Sequence, residues 1–165
     1  MPYAITLCLD DDDAAPVRAM LDLLAARGIA DDVLRLGYRP HVTLGLYADE
    51  ADEAALRSRL AALAGPAVAL SMPALGCFPG TPAVLYVAPC PGPALLALHA
   101  ACASPHPHYR RGAWMPHITL SEAVADAGAA LAVLGAAWRP FAARCSRLEL
   151  VRFRPVEMLA DISLA

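Results

Sequence analysis

The chain carries one five-residue phrase twice: Pro40-His41-Val42-Thr43-Leu44 and, 76 residues further on, Pro116-His117-Ile118-Thr119-Leu120. Only five His and four Thr occur in the 165 residues. With that composition roughly 0.02 His-x-Thr-Leu matches are expected by chance, so two copies, each behind a Pro, mark an internal repeat. Both copies read as strands, being rich in β-branched and apolar residues. Side chains alternate along a strand, so His and Thr of each copy share one face, about 7 Å apart. Val42, Leu44, Ile118 and Leu120 take the opposite face. An imidazole and a hydroxyl so placed can grip one anion, and a Pro at the start of a strand forfeits no ladder donor that is needed. A single His on an apolar strand is ordinarily a core or surface residue. Two at matched positions are what a general acid and a general base require.

The rest of the chain repeats in the same order. Tyr3 to Leu9 reads as a strand, and the acidic run Asp10 to Asp13 as the solvated N-terminus of a helix over Pro16 to Arg27, stopped by Gly28. A turn near Asp31 to Leu36 leads to the first motif strand. A helix over Asp49 to Ala64, a strand over Ala67 to Leu75 and a turn-rich connector over Gly76 to Pro82 follow. The second half offers a strand over Ala83 to Ala88, a helix over Ala94 to Ser104, a polar loop over Pro105 to Gly112 and the second motif strand. It closes with a helix over Ala125 to Ala137, a long strand over Phe141 to Phe153 and a last strand over Val156 to Ser163. Each half therefore reads strand, helix, motif strand, helix, strand. The expectation is one bilobal domain over 1–165, its lobes formed by halves of about 1–78 and 83–165. A pseudo-twofold axis would set His41 opposite His117.

Composition removes several classes of chemistry. All 13 basic residues are Arg, so a Walker A loop, a lysine-adenylate transferase and a Schiff-base enzyme, each of which needs an amine, are excluded. The five Cys form an odd set without Cys-x-x-Cys spacing, against both a disulfide framework and a zinc ribbon; they are expected to be buried. His99, His106 and His108 have no carboxylate or Cys to complete a metal set, so neither metal nor cofactor is expected. The net charge of −3 offers no general field for polyanions, but 102–154 holds seven Arg against Glu122, Asp126 and Glu149, so nucleic-acid contact should be local to the second half. No apolar run reaches the ~18 residues of a membrane span. The start has no basic n-region, and a cytoplasmic monomer without a membrane or protein partner is expected.

The two motifs, in these two halves, resemble those of the two-histidine (2H) phosphoesterase superfamily, which includes RNA 2′,5′-ligases and cyclic nucleotide phosphodiesterases. That resemblance, covering nearly the whole chain, implies an α/β fold of the α+β type, with antiparallel sheets lining a central cleft and helices outside. It further implies metal-independent chemistry on 2′,3′-cyclic phosphates or 2′,5′ linkages, with His41 and His117 as the catalytic pair and Thr43 and Thr119 on the phosphate oxygens. A nucleotide or short RNA end would be the substrate. Just upstream of the motifs, Tyr38, Arg39, Tyr109, Arg111 and Trp114 are candidates for binding it, the rings by stacking on a base and the guanidinium groups by gripping phosphate. RNA 2′,5′-ligation and a non-catalytic nucleotide-binding module are the competing readings.

Overall fold

The computed structural model describes residues 2–110 and 112–165. In chain order the elements are β1 (Tyr3–Cys8), α1 (Ala15–Ala26), α2 (Asp32–Leu36), β2 (His41–Tyr47), α3 (Glu53–Ala62), β3 (Val68–Met72) and β4 (Ala74–Phe78). There follow β5 (Ala83–Ala88), α4 (Pro93–Cys102), a 3-10 turn at Pro107–Tyr109, β6 (Ile118–Val124), α5 (Ala127–Ala137), β7 (Phe141–Cys145), β8 (Arg147–Arg152) and β9 (Glu157–Ser163). The strands form three sheets in the orders β2-β1-β8-β9, β4-β5-β6 and β3-β7, and every pairing is antiparallel. This is the mixed α+β architecture with antiparallel sheets that was expected. Among the described residues no helix is long and apolar enough to cross a membrane.

The sheets do not follow the division at 78–83. β8 and β9 pair back onto the first half through β1, while β4 joins β5 of the second. Two breaks in the chain cause this. The strand expected over Ala67 to Leu75 ends at Pro73, which has no N–H for a ladder, so β3 and β4 enter different sheets. The strand expected over Phe141 to Phe153 breaks at Ser146, whose N–H (2.8 Å) and hydroxyl (2.6 Å) both donate to Asp10 Oδ1. Asp13 Oδ2 likewise accepts the Arg144 N–H at 2.6 Å. Two members of the acidic run therefore latch the corner between β7 and β8 rather than solvating a helix end. The helix expected from Asp49 begins only at Glu53, because the Asp52 carboxylate caps the Ala54 and Ala55 N–H groups. Gly76 to Phe78, expected in a connector, are strand residues.

Alternation sorts the four-stranded sheet as the motif required. Ile5, Leu7, Val42, Leu44, Leu148 and Leu150 are fully buried in the core. On the other face, register places Thr43 beside Thr6 and Thr6 beside Glu149, and His41 beside Cys8. In the three-stranded sheet the corresponding row is Thr119, Tyr86, Gly76. A Cβ at Gly76 would lie 2.6 Å from the Tyr86 ring, so only glycine leaves room for that ring to lie flat across β4. Cys8, Cys102 and Cys145 are buried, but Cys77 is half-buried and Cys90 exposed, so burial covers only part of the cysteine set.

Candidate active site

β2 and β6 are the edge strands of their sheets, and both edges border one cleft of about 200 Å³. His41, Thr43, His117 and Thr119 all line it. Their half-buried positions follow from strand period: their neighbours Val42, Leu44, Ile118 and Leu120 are anchored in the core, which aims the motif side chains outward. Asp32 ties the two sides together, its carboxylate accepting the Ser121 hydroxyl at 2.7 Å and the Glu122 N–H at 2.8 Å.

The two imidazoles are held in the same way. His41 Nδ1 lies 2.8 Å from the Arg39 carbonyl, and His117 Nδ1 lies 2.9 Å from the Met115 carbonyl, in each case two residues upstream. A carbonyl only accepts, so each Nδ1 carries the proton and each Nε2 is left as the reactive nitrogen. Burial lowers the pKa of both rings below the ordinary imidazole value. For His41 the Arg39 carbonyl, Glu149 and Glu122 oppose that shift, while His117 adds to it. For His117 the Met115 carbonyl and Glu122 oppose it.

Behind the rings the two sides differ. Tyr38 packs against His41 with ring centroids 4.5 Å apart, and its hydroxyl donates to Glu149 Oε2 at 2.9 Å. With that proton committed, the Thr6 hydroxyl donates to the Tyr38 oxygen at 2.7 Å. Arg39 Nε stands 3.3 Å from Glu149 Oε1, and Glu149 itself is 1% exposed. The His41 side thus rests on a buried carboxylate. His117 instead meets Phe78 edge-on at 5.0 Å and Tyr86 at 5.7 Å, with Gly76 at the position that Glu149 fills opposite.

Cys8 stands directly beside His41 on β1, a neighbour that the sequence spacing did not reveal. Burial, with Glu149 adding to it, pushes its thiol up to about 12, so it stays protonated and is no nucleophile.

Of the residues upstream of the motifs, Tyr38, Arg39 and Tyr109 line the cleft; burial raises Tyr109 to about 12. Trp114 does not line it. Its indole N–H donates to the Thr43 carbonyl at 3.1 Å and its ring stacks on His99 at 3.8 Å, so it braces the back of β2. Arg111 lies outside the described residues. His99 is taken up by this packing, its Nδ1 bonded to the Leu44 carbonyl at 2.9 Å. The His106 ring accepts the His108 N–H at 3.3 Å. Glu122 and Arg154 also line the cleft and are ion-paired with each other, a contact that only the tertiary fold creates.

No curated protein matches the chain. Among solved structures, it is similar to Escherichia coli LigT complexed with 3′-AMP, at 17% identity and TM-score 0.65, with 99% of each chain covered. It is similar to a crystal structure described as a phosphoesterase, at 16% identity and TM-score 0.65, covering 99% of this chain and 98% of that one. Kluyveromyces marxianus Usb1 shares the fold at 15% identity and TM-score 0.52, again with 99% and 98% covered. These likenesses establish the fold from end to end. The model of the 2′-5′ RNA ligase superfamily matches residues 32–157, a span that holds both motifs, and the chain belongs to that superfamily of two-histidine phosphoesterases.

Proposed function

We propose that this protein is a metal-independent phosphodiesterase that opens 2′,3′-cyclic phosphate ends of nucleotides or short RNA, with His41 and His117 as general acid and general base. The observation that carries the reading is the matched pair of imidazoles, each pinned through Nδ1 to a carbonyl two residues upstream and each lining the same cleft. Opening the ring requires one proton taken from water and one delivered to the departing ribose oxygen. Two imidazoles of opposite protonation state do both. Thr43 and Thr119 hydroxyls would donate to the phosphoryl oxygens and stabilise the charge that builds there. Nucleotide complexes of E. coli LigT, with 3′-AMP and with ATP, support a nucleotide as the substrate class.

Ligation through a 2′,5′ linkage is the same chemistry run with a ribose hydroxyl in place of water, and the same four side chains would serve it. Incubation with the four 2′,3′-cyclic mononucleotides and a 2′,5′-linked dinucleotide, under excess chelator, separates these readings. Opening of the cyclic phosphates at an undiminished rate in chelator is expected. Loss of turnover on chelation would overturn the metal-independent mechanism, and binding without turnover of any substrate would favour a non-catalytic module.

A further inference from the structure

A second depression adjoins the cleft. It lies between α2 and the segment running from the end of β8 into β9, encloses about 560 Å³, and shares Tyr38, Arg39, Pro40, Leu36 and Val156 with the cleft. Val33 of α2 also lines both, while Leu34 of α2 and Met158 of β9 line the second depression alone. Five large hydrophobic side chains are exposed among the described residues, and three of them sit here: Leu34 (37%), Leu36 (37%) and Met158 (55%). Apolar surface gathered in this way beside a polar site marks a place that something covers. The cleft alone falls short of the ~300–1,000 Å³ usual for a small-molecule site, and the groove brings it within range.

Charge narrows the occupant. The Arg and carboxylate side chains that line cleft and groove are Arg18, Arg39 and Arg154 against Asp11, Glu149 and Glu122, three of each sign. They are also paired one to one: Arg18 with Asp11 at 2.8 Å, Arg39 with Glu149 at 3.3 Å, and Arg154 with Glu122. Among the described residues, therefore, no lining guanidinium lacks a carboxylate partner, and a second phosphate would meet as many carboxylates as guanidinium groups, with no net positive field to attract it.

We infer that the groove seats the uncharged nucleoside part of the substrate, and that the preferred substrate is a cyclic phosphodiester bearing a single phosphate. This rests on the phosphodiesterase reading above and narrows it from nucleotides or RNA ends to nucleoside cyclic phosphates. The base would lie against Leu36 and Met158 while the cyclic phosphate sits between His41 and His117.

The test compares kcat/KM for adenosine 2′,3′-cyclic phosphate, its 5′-phosphorylated form, a dinucleotide ending in the same cyclic phosphate, and ribose 2′,3′-cyclic phosphate without a base. Adenosine 2′,3′-cyclic phosphate should exceed each of the others by about tenfold or more, the base-free sugar through lost apolar contact. In a Leu36→Asp variant, at a position already partly open to water, the advantage of the base should collapse towards parity. Equal or better use of the dinucleotide or the 5′-phosphorylated form would overturn the inference while leaving the phosphodiesterase reading intact. So would indifference to the base. Absence of turnover with all four would overturn both.

Discussion

Replacing His41 or His117 by Ala should lower kcat by 10²- to 10⁴-fold each, about 3–5 kcal/mol of transition-state stabilisation, while leaving the thermal unfolding midpoint close to that of the unmodified protein. The separation of activity from stability follows from where the rings stand. His41 projects into the cleft from edge strand β2 and His117 from the residue just before edge strand β6, and the residues that hold those strands in place, Val42, Leu44, Ile118 and Leu120, are untouched. Each ring gives up one hydrogen bond, to the Arg39 or the Met115 carbonyl. The losses should not multiply when both are removed, because an acid without its base has little left to do. Full turnover in either single variant would remove that histidine from the mechanism.

The next largest effect is expected at Glu149. Glu149→Ala should cost about 2–3 kcal/mol in stability, read as a shift in denaturant midpoint, since the Tyr38 hydroxyl loses a charged acceptor in a buried setting and Arg39 loses its partner. The figure lies below the ~3–5 kcal/mol of a fully buried pair because the Arg39 side chain is about a third exposed and can turn to water. Glu149→Gln isolates the charge. It keeps the shape and an acceptor for Tyr38, but removes a negative charge that favours the protonated form of His41. The pKa of His41 should then fall further, and the limb of the pH–rate profile that belongs to it should move to lower pH. A Gln variant with an unshifted profile would show that His41 does not sense this carboxylate.

Glu149 also shows where reading the sequence stops. The phrase Pro-His-x-Thr-Leu names its four side chains because its information is local: strand period alone puts His and Thr on one face. Glu149 reaches the site only because β8 pairs with β1, and that pairing depends on the chain turning at Ser146 under the grip of Asp10, 136 residues away in sequence. Pro73 turns the equivalent corner earlier. Its consequence, that β4 and not β3 stands beside β5, is invisible until the sheets are assembled. The sheets therefore draw strands from both halves of the sequence. The orders β2-β1-β8 and β6-β5-β4 each start from a motif strand at the sheet edge.

Other differences arise from competition for the same side chains. Trp114, placed by sequence proximity at the cleft, is drawn instead to His99 and the Thr43 carbonyl, where its large ring is half-buried and its N–H is satisfied. Tyr38 and Arg39 do border the cleft, yet both are also committed to Glu149. Composition pointed to the second half as the basic side. In the fold, Arg154 is paired with Glu122, and among the described residues the Arg and carboxylate side chains lining cleft and groove are equal in number.

The paired acid–base mechanism is tested most directly by the pH dependence of kcat/KM for a 2′,3′-cyclic mononucleotide in the unmodified protein and in the two Ala variants. Hydrolysis needs one histidine protonated and the other neutral, so the unmodified protein should give a bell whose two apparent pKa values belong to the pair. Both rings are shifted downward, so the protonated form of each is lost at lower pH than usual, and the maximum should lie below the ordinary imidazole value of 6.5. The residual activity of His41→Ala should lack one limb of the bell and that of His117→Ala the other. A bell that survives whole in either variant, or the same limb missing from both, would contradict a division of labour between the two histidines.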